Sequence, residues 1–415
     1  MHIQSLPIVC GIVFLLILAG PAAGAATPLW TESNTAGGEL SGVIISADDS
    51  TIIIGGDQLI SLTRDGQKRW SGWSGTTLDI SSKGDYILSS KGPVVRLISS
   101  AGTLVWERPM DIAVTDVSLS PNLSFVAAAG GGKIMTMTFS GEGIASNITM
   151  AVNHIEIMPD GKHLLVTTRM GARLLDLRLM SGWSDTNSTQ DLLAVAPGGS
   201  SFVTATSNRV RMYDGNGSLQ WDKRFSDGNA QALAWSRDGS TIVIGTDNNS
   251  VQVLNRYGSQ IWMANATNWI TSVAVSGDGN TIAAGSLDKK LYVYNHVGTL
   301  LGTFSARNAI RSNSVAVTSD GSLIVVVSET AAYGLLRTSF TDQDAPKETI
   351  AVPSPEPTDE TPETTLPPTT TRRITRTATL PTPYPVESAT PESPLPWGVP
   401  LVALLVLFLC RSGNK

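Results

Sequence analysis

Cysteine is almost absent from this chain of 415 residues: only Cys10 and Cys410 occur, each within an apolar terminal segment. The residues between those segments can therefore form no disulfide and provide no thiol for catalysis or metal binding. Charged residues are also scarce, at 15% of the chain, and the formal net charge is −6. No run of Lys and Arg lies between residues 27 and 340, so we expect no nucleic-acid partner.

Recognisable catalytic motifs are missing as well. The sequence contains no Walker loop, no Gly-x-Ser-x-Gly elbow and no His-Glu-x-x-His pair. Histidine occurs without the spacing that metal ligands show, at His2, His154, His163 and His296. The sequence therefore predicts a protein that is not an enzyme, and we identify no catalytic, cofactor-binding or metal-binding residue.

Short strands separated by turns rich in Gly, Asp and Asn make up most of the chain. Alternating apolar and polar residues predict antiparallel strands. The first turn of each unit opens on an anchor position that recurs about every 40 residues, at Ser46, Ser81, Ser120, Met158, Ala196, Ser236, Ser276 and Thr318. This repeat predicts an all-β, eight-bladed β-propeller of four-stranded blades over residues 27–340, with seven blades as the alternative.

Two resemblances support the propeller. The segment VAVSGDGNTIAAGSLDKKLYVY, residues 273–294, resembles WD40 repeats. The junctions between third and fourth strands resemble the Gly-x-x-x-Trp repeat of quinoprotein-type, or PQQ-like, propellers: RDGQKRW at 64–70, SAGTLVW at 100–106, GNGSLQW at 215–221 and RYGSQIW at 256–262. Quinoprotein families imply a calcium-bound cofactor held by carboxylate and amide side chains, but this chain has no matching acidic cluster. The resemblance therefore implies the fold, and we predict no cofactor.

The tryptophans of this repeat have two interpretations. We predict that Trp70, Trp106, Trp221 and Trp262 pack between neighbouring blades, and a stacking platform for a sugar or cofactor is the alternative. Trp183 lies slightly out of register in the fourth unit. Two units lack the tryptophan. The third has Ile144 and Ala145 at this place, and the seventh has Gly302.

Four Asp-Gly pairs could be taken for calcium loops. They are too short for the set of oxygen ligands that a calcium loop supplies, so we predict that each is a hairpin turn in which Gly takes a positive φ: Asp160-Gly161, Asp238-Gly239, Asp278-Gly279 and Asp320-Gly321.

The two ends of the repeat region complement each other. Residues 29–32 resemble a fourth strand without its first three, and the eighth unit has three strands without a fourth. We predict that the N-terminal strand completes the eighth blade, since an open ring would expose a sheet edge.

The terminal segments predict export and anchoring. Residues 1–26 resemble a signal peptide; residues 341–394 are a Thr/Pro-rich stalk predicted to be disordered. Residues 395–410 are an apolar run that predicts a transmembrane helix, with 411–415 as a cytoplasmic tail. This layout resembles the C-terminal anchors of archaeal surface proteins. It predicts a single-pass cell-membrane protein with an extracellular propeller.

Export makes the Asn-x-Ser/Thr sequons candidate glycosylation sites, at Asn122, Asn147, Asn187, Asn216, Asn248 and Asn265. The expected binding face lies on the longer loops and includes Trp269, Arg224, Arg307 and Arg311. We predict a non-catalytic binding or scaffold propeller at the cell surface, tethered by the C-terminal helix and contacting a protein or glycan. The alternative is an exported PQQ-like quinoprotein enzyme or sensor domain.

Overall fold

The computed structural model describes residues 26–340 except 34–36, 149–150, 187–188 and 226–227. The predicted stalk, transmembrane helix and tail lie outside the described residues, as does the predicted signal peptide except for its last residue. That residue, Ala26, is buried in the core of the last two blades. Within the described ranges, no helix is long and apolar enough to cross a membrane.

The described strands form eight four-stranded antiparallel sheets, numbered here as blades 1 to 8 in chain order. The chain begins with β1 (Trp30–Ser33), which belongs to blade 8. Blade 1 consists of β2 (Leu40–Ile45), β3 (Ile52–Gly56), β4 (Leu59–Leu62) and β5 (Lys68–Gly72). Blade 2 consists of β6 (Thr77–Ile80), β7 (Tyr86–Lys91), β8 (Val94–Ser99) and β9 (Leu104–Pro109). Blade 3 consists of β10 (Asp116–Leu119), β11 (Phe125–Gly130), β12 (Lys133–Thr138) and β13 (Gly143–Ile148).

The remaining blades repeat this meander. Blade 4 consists of β14 (Val152–Ile157), β15 (His163–Thr168), β16 (Gly171–Asp176) and β17 (Ser181–Asp185). Blade 5 consists of β18 (Leu192–Val195), β19 (Ser201–Thr206), β20 (Arg209–Asp214) and β21 (Leu219–Arg224). Blade 6 consists of β22 (Ala230–Trp235), β23 (Thr241–Thr246), β24 (Ser250–Asn255) and β25 (Gln260–Asn265). Blade 7 consists of β26 (Ile270–Val275), β27 (Thr281–Ser286), β28 (Lys290–Asn295) and β29 (Leu300–Ser305).

Blade 8 closes the ring. Its own strands are β30 (Val315–Val317), β31 (Leu323–Ser328) and β32 (Ala331–Leu336), followed by a 3-10 turn (Arg337–Ser339). The outermost strand is β1, which pairs antiparallel with β32, Trp30 opposite Gly334 and Ser33 opposite Ala331. The predictions of eight blades and of closure by the N-terminal strand are confirmed.

The core lies between neighbouring blades, and the second strand of a blade is buried on both faces. Ile52 and Ile54 pack in one cluster with Leu323 of blade 8, whereas Ile53, between them, packs with Ile87 of blade 2. All three isoleucines are fully buried. Alternating side chains therefore fill two different seams, and burying each stabilises the fold by about 2 kcal/mol. This is why the second strands read as continuous apolar runs instead of alternating ones.

The anchor residues fix the first turn of the blades. In six of them a Ser or Thr oxygen accepts a hydrogen bond from the backbone N–H five residues later, at Ser46, Ser81, Ser120, Ser236, Ser276 and Thr318. Blades 4 and 5 have Met158 and Ala196 there and form the turn without that bond. A buried hydroxyl can thus accept the hydrogen bond of a backbone N–H at the start of the following strand, where a partner in the sheet is missing.

The four Asp-Gly pairs are hairpin turns, as predicted. Asp278 accepts hydrogen bonds from the hydroxyl of Ser276 at 2.6 Å and from the backbone N–H of Asn280 at 3.0 Å. Gly279 follows with a φ of 74°, a left-handed conformation that favours glycine. Each of the four aspartates accepts a backbone hydrogen bond within its own turn. In the ranges that the structure describes, no three His, Cys, Asp or Glu side chains form a group that could hold a metal ion.

Candidate functional site

Tryptophans of the outer strands join neighbouring blades. The indole N–H of Trp106 in blade 2 donates a 2.8 Å hydrogen bond to the carbonyl of Phe139, in the last hairpin of blade 3. Its ring packs on Gly141, whose φ is 85° and where a Cβ would come within 3.0 Å of the indole. The same contact recurs at Trp30, Trp70, Trp221 and Trp262, which donate to Arg64, Ser100, Arg256 and His296. These tryptophans therefore hold the ring together.

The units that depart from this repeat use other residues. The ring of Trp183 lies against Gly217 of blade 5, so this tryptophan is in register after all. Gly302 in blade 7 is covered by Phe340, which is 5% exposed and reaches the seam from the end of the described chain. Ala145 in blade 3 packs instead against the core cluster that contains Leu179 of blade 4. Tertiary packing thus compensates for each missing tryptophan in a different way.

A cavity lies on the propeller axis. It has a volume of about 630 Å³ and is lined by the beginnings of the first strands of all eight blades. It lies toward the end that carries the connections from each fourth strand to the next first strand; we call this end the loop face and the opposite end the turn face. A second cavity of about 350 Å³ continues toward the turn face beside blades 2 to 4. Both are lined by Leu78, Asp116, His154 and Leu193.

Three carboxylates from adjacent blades line the second cavity: Asp79 of blade 2, Asp116 of blade 3 and Glu156 of blade 4. Asp79 accepts hydrogen bonds from the backbone N–H groups of Ile80 and, across the seam, Leu119 at 2.6 Å. A first strand has no further strand on its inner side, so its N–H groups need such acceptors. Asp79 therefore caps a backbone donor of the neighbouring blade.

Asp116 repeats this contact one blade further on. It accepts from the backbone N–H of Ile155 at 2.8 Å and lies 3.3 Å from Nδ1 of His154. Glu156 differs, because its carboxylate forms no hydrogen bond or ion pair with any described residue. No Lys or Arg in the described ranges pairs with any of the three carboxylates.

The environment shifts two of these groups toward the protonated form. Burial raises the pKa of Asp79 to about 7, in spite of two backbone hydrogen bonds that lower it. Burial raises the pKa of Glu156 to about 8, with a further contribution from the charges of Asp79 and Asp116. The cluster (Asp79, Asp116, Glu156) is therefore a site where added positive charge would be strongly stabilising.

The turn face is partly closed by a long side chain. Arg237 of blade 6 donates to the backbone carbonyl of Ala47 in blade 1 at 2.7 Å and to the hydroxyl of Ser319 in blade 8 at 3.1 Å. In blades 3 to 5 the residue after the anchor is proline, at Pro121, Pro159 and Pro197. Proline has no N–H with which to join neighbouring turns. The second cavity is lined by two of these prolines.

The predicted binding residues all lie at the loop face. Trp269 is 45% exposed in the connection between blades 6 and 7. Arg307 and Arg311 lie in the connection between blades 7 and 8, and Arg311 is 3.9 Å from Glu329. Arg224 is the exposed last residue of β21, in a strand and not in a loop. The structure thus places these residues at one end of the ring but spread over several blades.

The sequons are distributed over both ends. Asn122 and Asn216 lie in turns at the turn face, and Asn248 lies in a turn at the loop face. Asn147 and Asn265 lie inside β13 and β25, not in the loops that follow. Asn187 lies outside the described residues.

The acidic cluster was missed by sequence reasoning, although the sequence contains a signal for it. Asp79 and Glu156 stand two residues before their anchors, where blades 5, 6 and 7 have alanine. Asp116 stands four residues before its anchor. Comparing repeats position by position would have identified polar side chains in three consecutive blades at places that are apolar or small elsewhere.

Comparisons with known proteins agree with this architecture. The family model described as WD domain, G-beta repeat matches residues 259–295, and that of the anaphase-promoting complex subunit 4 WD40 domain matches residues 183–264. With the eight four-stranded blades, these matches support a WD40-type β-propeller. No curated protein matches the sequence.

A solved structure similar to this chain is that of Chaetomium thermophilum Sqt1 bound to the N-terminus of the ribosomal protein L10. The two share 13% sequence identity with a TM-score of 0.60, and the match covers 72% of this chain and 97% of that one. At this identity the likeness shows the fold.

The predicted localisation, a single-pass cell-membrane protein with an extracellular propeller, is wrong. A solved structure that shares the fold is of a protein bound to part of a ribosomal protein, and none of the described helices is long and apolar enough to span a membrane. The prediction relied on terminal hydropathy, and the run at 395–410 is shorter than the roughly 20 apolar residues that a spanning helix needs.

Proposed function

We propose that this propeller is a binding scaffold that takes a positively charged, extended segment of a partner protein into its central cavity. The observation that carries this proposal is the cluster of Asp79, Asp116 and Glu156, three carboxylates of adjacent blades without a Lys or Arg partner among the described residues. A carboxylate in a desolvated position is stabilised by a cation that replaces its lost hydration. A Lys or Arg side chain of a partner supplies that cation.

The shape of the cavity favours a single extended chain. Its two parts, of about 630 and 350 Å³, have room for a few side chains but not for a folded domain. Sqt1, which shares the fold, is bound to the N-terminus of its partner, so a chain terminus suits a propeller of this kind. The acidic lining favours a cationic protein segment over a glycan.

The loop face provides the entrance in this proposal. The axial cavity lies toward this end, where Trp269, Arg307 and Arg311 are exposed. Trp269 offers an aromatic surface for the segment outside the cavity, and the two arginines favour acidic residues further along the partner. The cavity and the loop face together would therefore select a partner segment whose Arg-rich end is followed by acidic or apolar residues.

The quinoprotein-like tryptophans have a structural role in this proposal. The indole N–H groups of Trp70, Trp106, Trp221 and Trp262 all donate to backbone carbonyls of the next blade. Their resemblance to PQQ-like repeats is therefore best explained by the packing of blades.

Binding of a fluorescein-labelled peptide with three N-terminal arginines tests the proposal, with a peptide carrying glutamates in their place as the reference. Arginine keeps its charge at every pH used. We expect binding to tighten as the pH rises from about 6 to about 8.5, because the cluster ionises. Glu156→Gln is expected to weaken it about tenfold, a loss of about 1.4 kcal/mol.

The matched control is Asp85→Asn, which removes one negative charge from an exposed position on the turn face. It should leave affinity unchanged. An equal loss of peptide affinity in both variants, or equal binding of the arginine and glutamate peptides, would show that the peptide is attracted by the overall charge of the protein and not by the cluster.

A further inference from the structure

An aromatic ring fills nearly every seam between blades. Among the described residues, seven of the eight seams contain one, from Trp30, Trp70, Trp106, Trp183, Trp221, Trp262 and Phe340. The seam between blades 3 and 4 has Ala145 at this place. It is therefore the exception within a repeated pattern.

A cavity of about 270 Å³ lies in this seam. Its apolar lining consists of Ile134, Val166, Leu175, Leu179 and Met180. The equivalent positions in the preceding seam include Val95, Ala128 and Met137, which cluster with Trp106. The cavity is thus surrounded by the counterparts of the residues that surround a tryptophan ring one blade earlier.

The seam is stable without a ring because other groups take over part of the contact. The hydroxyl of Thr136 donates at 2.7 Å to the carbonyl of Leu177, the position that receives an indole N–H in the other seams. Leu179 stands at the position of the usual glycine, has a φ of 63° and is buried in the cluster against which Ala145 packs. The Leu177 carbonyl thus already accepts one hydrogen bond and most of the cavity lining is apolar, so the remaining space suits an apolar ring such as phenylalanine.

The rim of this cavity carries an unneutralised charge. Arg173 lines it and is half-buried, and its guanidinium forms no hydrogen bond or ion pair with the part of the chain that the structure describes. Met180, beside it, is 68% exposed. A ligand that places a carboxylate next to an aromatic ring would satisfy both the guanidinium and the apolar walls.

We propose that the seam between blades 3 and 4 is a docking site for a phenylalanine side chain of a partner protein, flanked by an acidic residue. The molecule contains its own precedent, because Phe340 fills the seam at Gly302 from a segment that is not an outer strand. This site is separate from the central cavity and selects the opposite charge, so either proposal can fail without the other.

The test uses the full chain and a short Gly/Ser peptide with a central Phe-Glu pair, labelled with fluorescein. Reference peptides carry Ala for Phe or Lys for Glu. The double variant Ala145→Trp with Leu179→Gly rebuilds the arrangement seen at Trp106 and Gly141, so it should fill the cavity from within. We expect it to weaken binding of the Phe-Glu peptide at least about tenfold, with a denaturation midpoint at or above that of the parent.

Two further variants locate the contact. Arg173→Met should weaken binding of the Phe-Glu peptide and abolish its advantage over the Phe-Lys peptide. Arg256→Met, in an exposed hairpin of blade 6, should change neither the affinity for the Phe-Glu peptide nor its advantage over the Phe-Lys peptide. The proposal is overturned if the double variant folds and binds as the parent does, or if the Ala and Phe peptides bind equally.

Discussion

The indole N–H of Trp30 donates a 3.1 Å hydrogen bond to the carbonyl of Arg64, and the guanidinium of Arg64 returns an ion pair of 2.5 Å to Asp320. Trp30 and Asp320 belong to blade 8, and Arg64 belongs to blade 1. Blades 8 and 1 are therefore joined by a hydrogen bond and an ion pair, with the donors on opposite sides of the seam where the ring closes.

Trp30→Ala tests how much this closure contributes. The substitution removes the ring that covers Gly66 and Gly334 and leaves the carbonyl of Arg64 without its donor. We expect the free energy of unfolding to fall by about 2 kcal/mol or more, measured from denaturant titration. Leu29→Ala, at a neighbouring residue that is 49% exposed, should cost far less; equal losses would contradict this account.

Three glycines separate backbone strain from packing. Gly141 has a φ of 85° and a ring 3.0 Å from the site of a Cβ, Gly239 has a φ of 74° with open space, and Gly143 has neither constraint. Substituting Ala should cost about 1 kcal/mol at Gly239 through the left-handed conformation, more at Gly141, and little at Gly143. Thermal denaturation of the three variants gives the order, and any other order refutes the reasoning.

Phe340 and Gly302 should be energetically coupled. Phe340→Ala opens a cavity in the seam between blades 7 and 8, with an expected loss of about 3 kcal/mol. Gly302→Trp alone should also destabilise, because a Cβ there would lie 3.3 Å from the phenylalanine ring. The double variant should be more stable than the sum of the two losses predicts, since the indole then occupies the vacated space. Additive losses in denaturant titration would show that the two residues do not share one site.

The acidic cluster should make stability depend on pH. Burial raises the pKa of Glu156 to about 8 in the folded protein, whereas the unfolded chain releases this proton at its ordinary value of 4.5. The unfolded state then binds fewer protons between these values, so the free energy of unfolding falls as pH rises from about 5 to about 8.

Glu156→Gln cannot ionise and should remove its share of that slope. We expect the variant to equal the parent near pH 4 and to be more stable than the parent above about pH 8. Chemical denaturation across this range, with Asp85→Asn as the exposed control, provides the measurement. A constant difference between variant and parent at all pH values would contradict the assignment.

The sequence determined the number of blades and the closing strand. Eight anchors recur, and six of them are Ser or Thr, because a buried hydroxyl fixes the first turn of most blades. The N-terminal segment has one strand without partners, and the eighth unit has three strands without a fourth. The N-terminal strand is therefore expected to complete the eighth blade, because an open ring would leave a sheet edge unpaired. Local turn chemistry and strand pairing are properties of short segments, so they can be read from the residues in order.

Only the tertiary structure decided how the seams and the axial cavity are built. From the sequence, Glu156 is expected to be an ordinary exposed residue of an alternating strand. Its carboxylate has no hydrogen-bond or ion-pair partner among the described residues because of the strands of blades 3 and 5 that lie beside it. Phe340 and Leu179 compensate for missing tryptophans in other blades, which no local pattern indicates. Contacts between blades join residues that are distant in the chain, so their chemistry depends on the closed ring and not on the strand that carries them.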